Sequence, residues 1–142
     1  MLSEVTAAVA REVAAMPQVP DAAVVVRHYH EWDAAKLQSL MIAVTPRGAD
    51  VQNTSRQAVI VDYRVGIVVA KYAATEADAE AVFVMAESIL DGLRQKLTLS
   101  TGEVGQAAFL SAVMDLSSDE MLNEQNIYRA TIEATYKVLK GP

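Results

Sequence analysis

Residues 58–71 read AVIVDYRVGIVVAK, and this run constrains the fold more than any other part of the chain. Val59, Val61, Tyr63, Val65, Ile67 and Val69 fall on one parity, and Ile60, Asp62, Arg64, Gly66, Val68 and Ala70 on the other. Period-two patterning of this kind predicts a strand with one strongly apolar face. Its length is unusual. At about 3.3 Å per residue the run spans about 45 Å, whereas ordinary strands hold about 5–6 residues. A compact chain of 142 residues has a diameter of about 37 Å. The second face, with Ile60, Val68 and Ala70 between charges, is not a simply solvated one. An arm that outgrows its globule is stable only against something else, and its exposed edges invite pairing with another chain. Self-assembly is the functional inference with physical support.

The remaining elements can be read around this strand. Ser3 is a plausible N-cap for a helix whose stripe is Leu2, Val5, Val9, Val13 and Met16, stopped by Pro17 and Pro20. AVVVRHYH (23–30) is β-branched and aromatic, hence a strand; EWDAAKLQSL (31–40) is ambiguous between loop and helical turn. MIAVT (41–45) predicts a strand, and PRGADVQNTSRQ (46–57) a polar linker of turn-forming residues. After the long strand, Thr75 with Glu76 and Asp78 marks a helix start, and Ala79, Val82, Phe83, Ala86, Ile89, Leu90, Leu93 and Leu97 its apolar face. Residues 98–106 read as loop, AAFLSAVMDL (107–116) as a strand, SSDEMLNEQ (117–125) as loop and NIYRATIEATYKVLK (126–140) as a second long strand. Strands joined by short loops pair antiparallel, and amphipathic helices need a sheet face to cover. The expected fold is α+β: a single, largely antiparallel β-sheet with two amphipathic helices packed on it and a long projecting β-hairpin, all in one domain spanning residues 1–142.

Composition excludes several classes of function. A net charge of −6 and twelve basic residues spread among eighteen acids do not make a phosphate-gripping surface. There is no cysteine, so disulfides and thiolate metal sites are out. No stretch approaches the roughly 20 apolar residues of a membrane helix, and MLSEVTAAVAREVAAMPQ lacks the basic start of a secretory signal. The expectation is a chain that stays in the cytoplasm where it is made. His28-Tyr29-His30-Glu31-Trp32-Asp33 is the one cluster resembling a site, since two imidazoles and a carboxylate can bind a divalent metal. The simpler reading is a strand end emerging into solvent. No nucleophile elbow, phosphate loop, dinucleotide fingerprint or HExxH occurs. Asp62 and Arg64, like Glu133 and Lys137, read as paired charges on a solvated or partner-facing sheet surface. Met41, Met85 and Met114 read as gap fillers in the core. Neither a catalytic residue, a bound metal nor a cofactor is expected.

Three stretches carry a family resemblance: MIAVTPRG, a strand ending in a proline-containing turn; SRQAVIVDYRVGIVVAKYA, followed by a helix ending GLRQKL; and the final strand IYRATIEATYKVLK. In their order and texture, spanning nearly the whole chain, they resemble the tail-terminator (minor tail protein U-like) proteins of long-tailed bacteriophages. The resemblance implies a structural virion protein of the tail and neck, assembled in the host cytoplasm. It implies a homo-oligomeric ring, usually a hexamer, that caps the finished tail tube and stops its polymerisation. The implied partners are the major tail tube protein below and the head–tail connector or stopper protein above. The segment from Arg47 to Arg56, including Asp50 and Asn53, with Asp62 and Arg64, is the candidate assembly interface. Six copies would carry about −36 formally, which lets DNA cross the lumen without adhering. A head-completion or neck adaptor protein is the nearest alternative; a small α+β enzyme or ligand-binding domain using His28 and His30 is the alternative from another class.

Overall fold

The computed structural model describes residues 2–20, 24–26, 40–53, 59–72, 75–100, 106–116 and 127–140, the side chains of Asn53 and Lys140 excepted. The element order is α1 (Leu2–Ala14), β1 (Val24–Val26), β2 (Met41–Asn53), β3 (Val59–Tyr72), α2 (Glu76–Gln95), β4 (Thr98–Ser100), β5 (Gln106–Leu116) and β6 (Ile127–Lys140). The strands form one six-stranded sheet in the order β1-β2-β3-β6-β5-β4. Every pairing is antiparallel except β1 with β2, which is parallel. The α+β class, the largely antiparallel sheet and the two packed helices are as the sequence predicts.

Both helices cover one face. The core joins Val5, Val9 and Val13 of α1 and Val82, Ala86, Ile89 and Leu93 of α2 to one parity of each long strand. That parity is Val61, Tyr63, Val65, Ile67 and Val69 on β3 and Ala130, Ile132, Ala134, Tyr136 and Val138 on β6. Met85 and Met114 fill in around this cluster, and Met41 packs on a second, smaller one with Ala70 and Ile127. α1 begins at Leu2, so Ser3 lies inside the helix and not at its cap. α2 starts from a capping box: Thr75 accepts from the Asp78 backbone N–H, and the Asp78 carboxylate accepts from the Thr75 backbone N–H. Lys71, at the end of β3, binds Asp78 at 2.9 Å and ties the helix start to the strand before it.

Besides Ser3, the structure corrects the sequence reading in four places. Residues 46–53, expected as linker, continue β2 and pair with β3 out to Asn53 opposite Val59. A register shift between Pro46 and Gly48 lets the proline stay in the ladder, since an edge strand with a bulge can spare an N–H. Thr98–Ser100, expected as loop, is the short strand β4, paired with Gln106–Ala108. Leu97 lies beyond the end of α2 and is 66% exposed, so it is not part of the helix's apolar face. The parallel β1–β2 pair breaks the rule applied to consecutive strands. Of the strand expected at 23–30, only Val24–Val26 lies within the described residues, and most of 31–40 lies outside them.

Candidate assembly surface

Among the described residues no helix packs on the other face of the sheet, and its side chains form rows across the strands. Asp50, Asp62 and Lys137 stand opposite one another on β2, β3 and β6. Gly48, Arg64 and Thr135 make the next row, followed by Thr45, Gly66 and Glu133. Beyond them Ala43 and Val68 are fully buried, while Asp115 on β5 and Arg129 on β6 carry charge further along the same face.

The rows interlock through two arginines and two glycines. The Arg64 guanidinium reaches across to Gly48, where an added Cβ would stand 2.5 Å from its Nη2. Arg47, the extra residue of the β2 bulge, lays its side chain over Gly66; a Cβ there would collide with Arg47 and come within 3.0 Å of Thr45 Oγ1. Glycine in a strand interior marks such a close approach. Asp50 faces Asp62 directly, which is unfavourable for like charges. Arg64 Nε lies 3.5 Å from Asp50 Oδ2, and Lys137 is the register partner of Asp62 on the other side. The Arg64–Asp50 pair is more than a third exposed on both sides, so it contributes about 0–1 kcal/mol. At that distance Arg64 Nε is not aligned for a hydrogen bond, and Asp62 Oδ1 makes none either. The lattice is therefore loosely satisfied by its own residues.

Four of the six candidate interface residues, Arg47, Asp50, Asp62 and Arg64, thus share one patch. Asn53 closes the β2 ladder on the opposite parity. Arg56 lies outside the described residues, as do His28 and His30, the pair behind the metal reading. Among the described residues, no group of three His, Cys, Asp or Glu side chains is placed to hold a metal ion, and no helix is long and apolar enough to cross a membrane. Surface hollows lie between the two helices, at Glu12, Met16, Gly92 and Lys96, and at the start of α2, at Glu76, Glu80, Phe83 and Tyr128.

Sequence reasoning missed the two edges of the sheet. Among the described residues β1 pairs with β2 at Ile42–Val44 and β4 with β5 at Gln106–Ala108. Among the described residues nothing pairs with the outer side of β2 from Arg47 to Asn53, or of β5 from Leu110 to Leu116. Apolar side chains stand exposed along both: Val51 at 64%, Val113 at 61%, Leu110 at 53% and Leu116 at 48%. On β5 the available signal was the run AFLSAVMDL, apolar on both parities with one charge. A strand with its second face in water does not read that way.

No protein-family model and no curated protein sequence matches the chain. Among solved structures, a chain from the virion of a native gene transfer agent (GTA) particle is similar with a TM-score of 0.53 and 17% identity. The match covers 95% of this chain and 94% of that chain. At that identity the likeness is one of fold, and it runs from end to end.

Proposed function

We propose that this is a structural protein of a phage-like virion, a tail terminator that forms a ring on the end of the tail tube. One observation carries the reading: the whole chain, and not a part of it, shares its fold with a chain of a gene transfer agent virion. The resemblance of MIAVTPRG, the long strand and IYRATIEATYKVLK to tail terminators narrows that reading to the tail end. The surface fits the role. A charged sheet face on which no described helix packs, and two exposed strand edges, suit contact surfaces, and the chain's net charge of −6 suits a ring through which DNA slides.

In this account the ring, a hexamer, sits on the last ring of the major tail tube protein and blocks addition of the next. Its far side takes the head–tail connector or stopper protein. Arg47, Asp50, Asp62 and Arg64 are contact residues, and no step requires catalysis or a cofactor. A neck adaptor fits the same structural neighbour, a chain of the virion.

Electron microscopy of tail tubes grown with and without the protein separates these readings. Tail termination gives tubes of bounded length with a disc at one end and the protein labelled at the tube–head junction. Tubes that grow on, undecorated, in its presence reject termination. Label confined to the tail-less head connector moves the assignment to a neck adaptor.

A further inference from the structure

We infer that copies of this chain join edge to edge, the outer edge of β2 (Arg47–Asn53) in one copy pairing antiparallel with the outer edge of β5 (Leu110–Leu116) in the next. The inference rests on the ring reading and names the surfaces that would close it.

The two edges match in several ways. Each stretch without a partner among the described residues is seven residues long, and each begins at a bulge, between Pro46 and Gly48 on β2 and between Phe109 and Ser111 on β5. They lie on opposite sides of one sheet whose order is β1-β2-β3-β6-β5-β4. The three antiparallel steps from β2 to β5 make these strands run in opposite senses. Side by side in the same orientation, β2 of one copy runs antiparallel to β5 of the next, the more stable arrangement. Gly48 is level with Ser111 across the sheet, so a slide of about four residues along the strands sets the two stretches opposite each other and clears β1 and β4. Joining unlike edges is a head-to-tail contact, which propagates and closes into a ring when the rotation permits.

Charge favours this pairing over a two-fold β2–β2 one. Antiparallel alignment of the two stretches brings Arg47 to the Asp115 end of its neighbour and leaves Asp50 opposite Val113. A two-fold β2–β2 pairing over the same seven residues puts Asp50 against Asp50, and like charges directly opposite destabilise a strand pair. β5 lacks the usual protection of an edge strand: Asp115 is the one charge in QAAFLSAVMDL, and no proline interrupts it. Strand addition uses the backbone groups along such an edge, with alternate side chains supplying specificity.

The chain contains no cysteine, so paired cysteines report this contact without background. Asp50→Cys or Gln52→Cys is combined with Ser111→Cys or Val113→Cys in the full-length protein, and the four double variants are oxidised at millimolar concentration. All four positions are exposed, and the four combinations cover a register slip of two residues either way. The expected result is a ladder of disulfide-linked multimers in at least one double variant, with single variants mixed pairwise stopping at dimers. Absence of linkage in all four overturns the inference. Dimers in Ser111→Cys or Val113→Cys alone, with no ladder, also overturn it, because they report a two-fold β5 contact.

A second variant separates this inference from the capping account. Val113→Lys adds a charge at an exposed position and is expected to keep its melting temperature while losing the multimers. If that variant still bounds tube length, the edge contact is rejected and capping stands. If the ladder forms but tubes are never capped, the edge contact stands and capping is rejected.

Discussion

Arg47 and Gly66 lie 19 positions apart in the sequence, yet one fixes what the other can be. An alanine at 66 must push the Arg47 side chain aside and crowd Thr45 Oγ1. Without Arg47 the same methyl group would be favourable, because glycine in a strand interior costs about 0.5–1 kcal/mol relative to alanine. Gly66→Ala is therefore expected to be neutral or destabilising by about 1 kcal/mol alone, and stabilising by about 0.5 kcal/mol in an Arg47→Ala background. Urea unfolding of the four proteins closes the cycle, and additive effects would show that the two positions do not touch. Tyr136 is the other informative residue. Its ring is fully buried and meets Phe109 edge to face at 5.7 Å. Its hydroxyl has no hydrogen-bond partner, and burial, with the Glu12 carboxylate adding to it, holds the phenol well above its ordinary pKa of 10.0. The folded state thus keeps this proton when the unfolded chain has lost it. The stability it contributes is complete below pH 10 and falls as pH rises above it. Tyr136→Phe is expected to leave stability at pH 7 within about 1 kcal/mol and to flatten the alkaline loss in chemical unfolding curves. None of this could be read in the sequence. Asp62 and Arg64 stood out as charges between apolar residues, but the bulge that brings Arg47 over Gly66 is a property of two strands.

At the scale of elements, legibility followed periodicity. β3, α2 and β6 have long, regular patterns and fall within a few residues of where the sequence puts them. β2 was half missed because Pro46, Gly48, Asp50 and Asn53 are turn formers by backbone preference. The ladder with β3 overrides that preference, and the bulge absorbs the proline. β4 is three residues long, too short for a period to show. The start of α2 was legible from Thr75 and Asp78, and the structure adds why it matters. Their capping box and the Lys71–Asp78 bond hold the strand-to-helix connection together. The Lys71 ammonium donating to its carboxylate is the main cause that holds Asp78 below its ordinary 3.8, with the Thr75 hydrogen bonds adding to it. The stability from this depressed carboxyl is present above the unfolded value and is lost as pH falls through the folded one. Thr75→Ala is expected to cost about 1 kcal/mol, and Asp78→Asn to make thermal stability less sensitive to acid between about pH 5 and 3. A melting curve unchanged by Thr75→Ala would show that the cap does not limit stability.

For the whole molecule, hydrophobic patterning revealed the class and not the path of the chain. An apolar parity tells a strand to face a core, but it does not say which strand lies beside it. β3 could have met β5 as plausibly as β6 on sequence alone. The placement of β6 between them also refines the idea of a free-standing arm. β6 accompanies β3 from Tyr72 to Val59, so the hairpin is braced along one side, and its exposed part is the outer edge of β2. That placement has a consequence for how the protein is made. Without residues 127–140 no pairing among the described residues joins β1–β3 to β4–β5, and each piece lacks its inner neighbour. Pairing of β6 with β3 on one side and β5 on the other joins the two. A nascent chain that has not yet exposed β6 therefore presents bare inner edges on β3 and β5, and unpaired strand edges are templates for other chains.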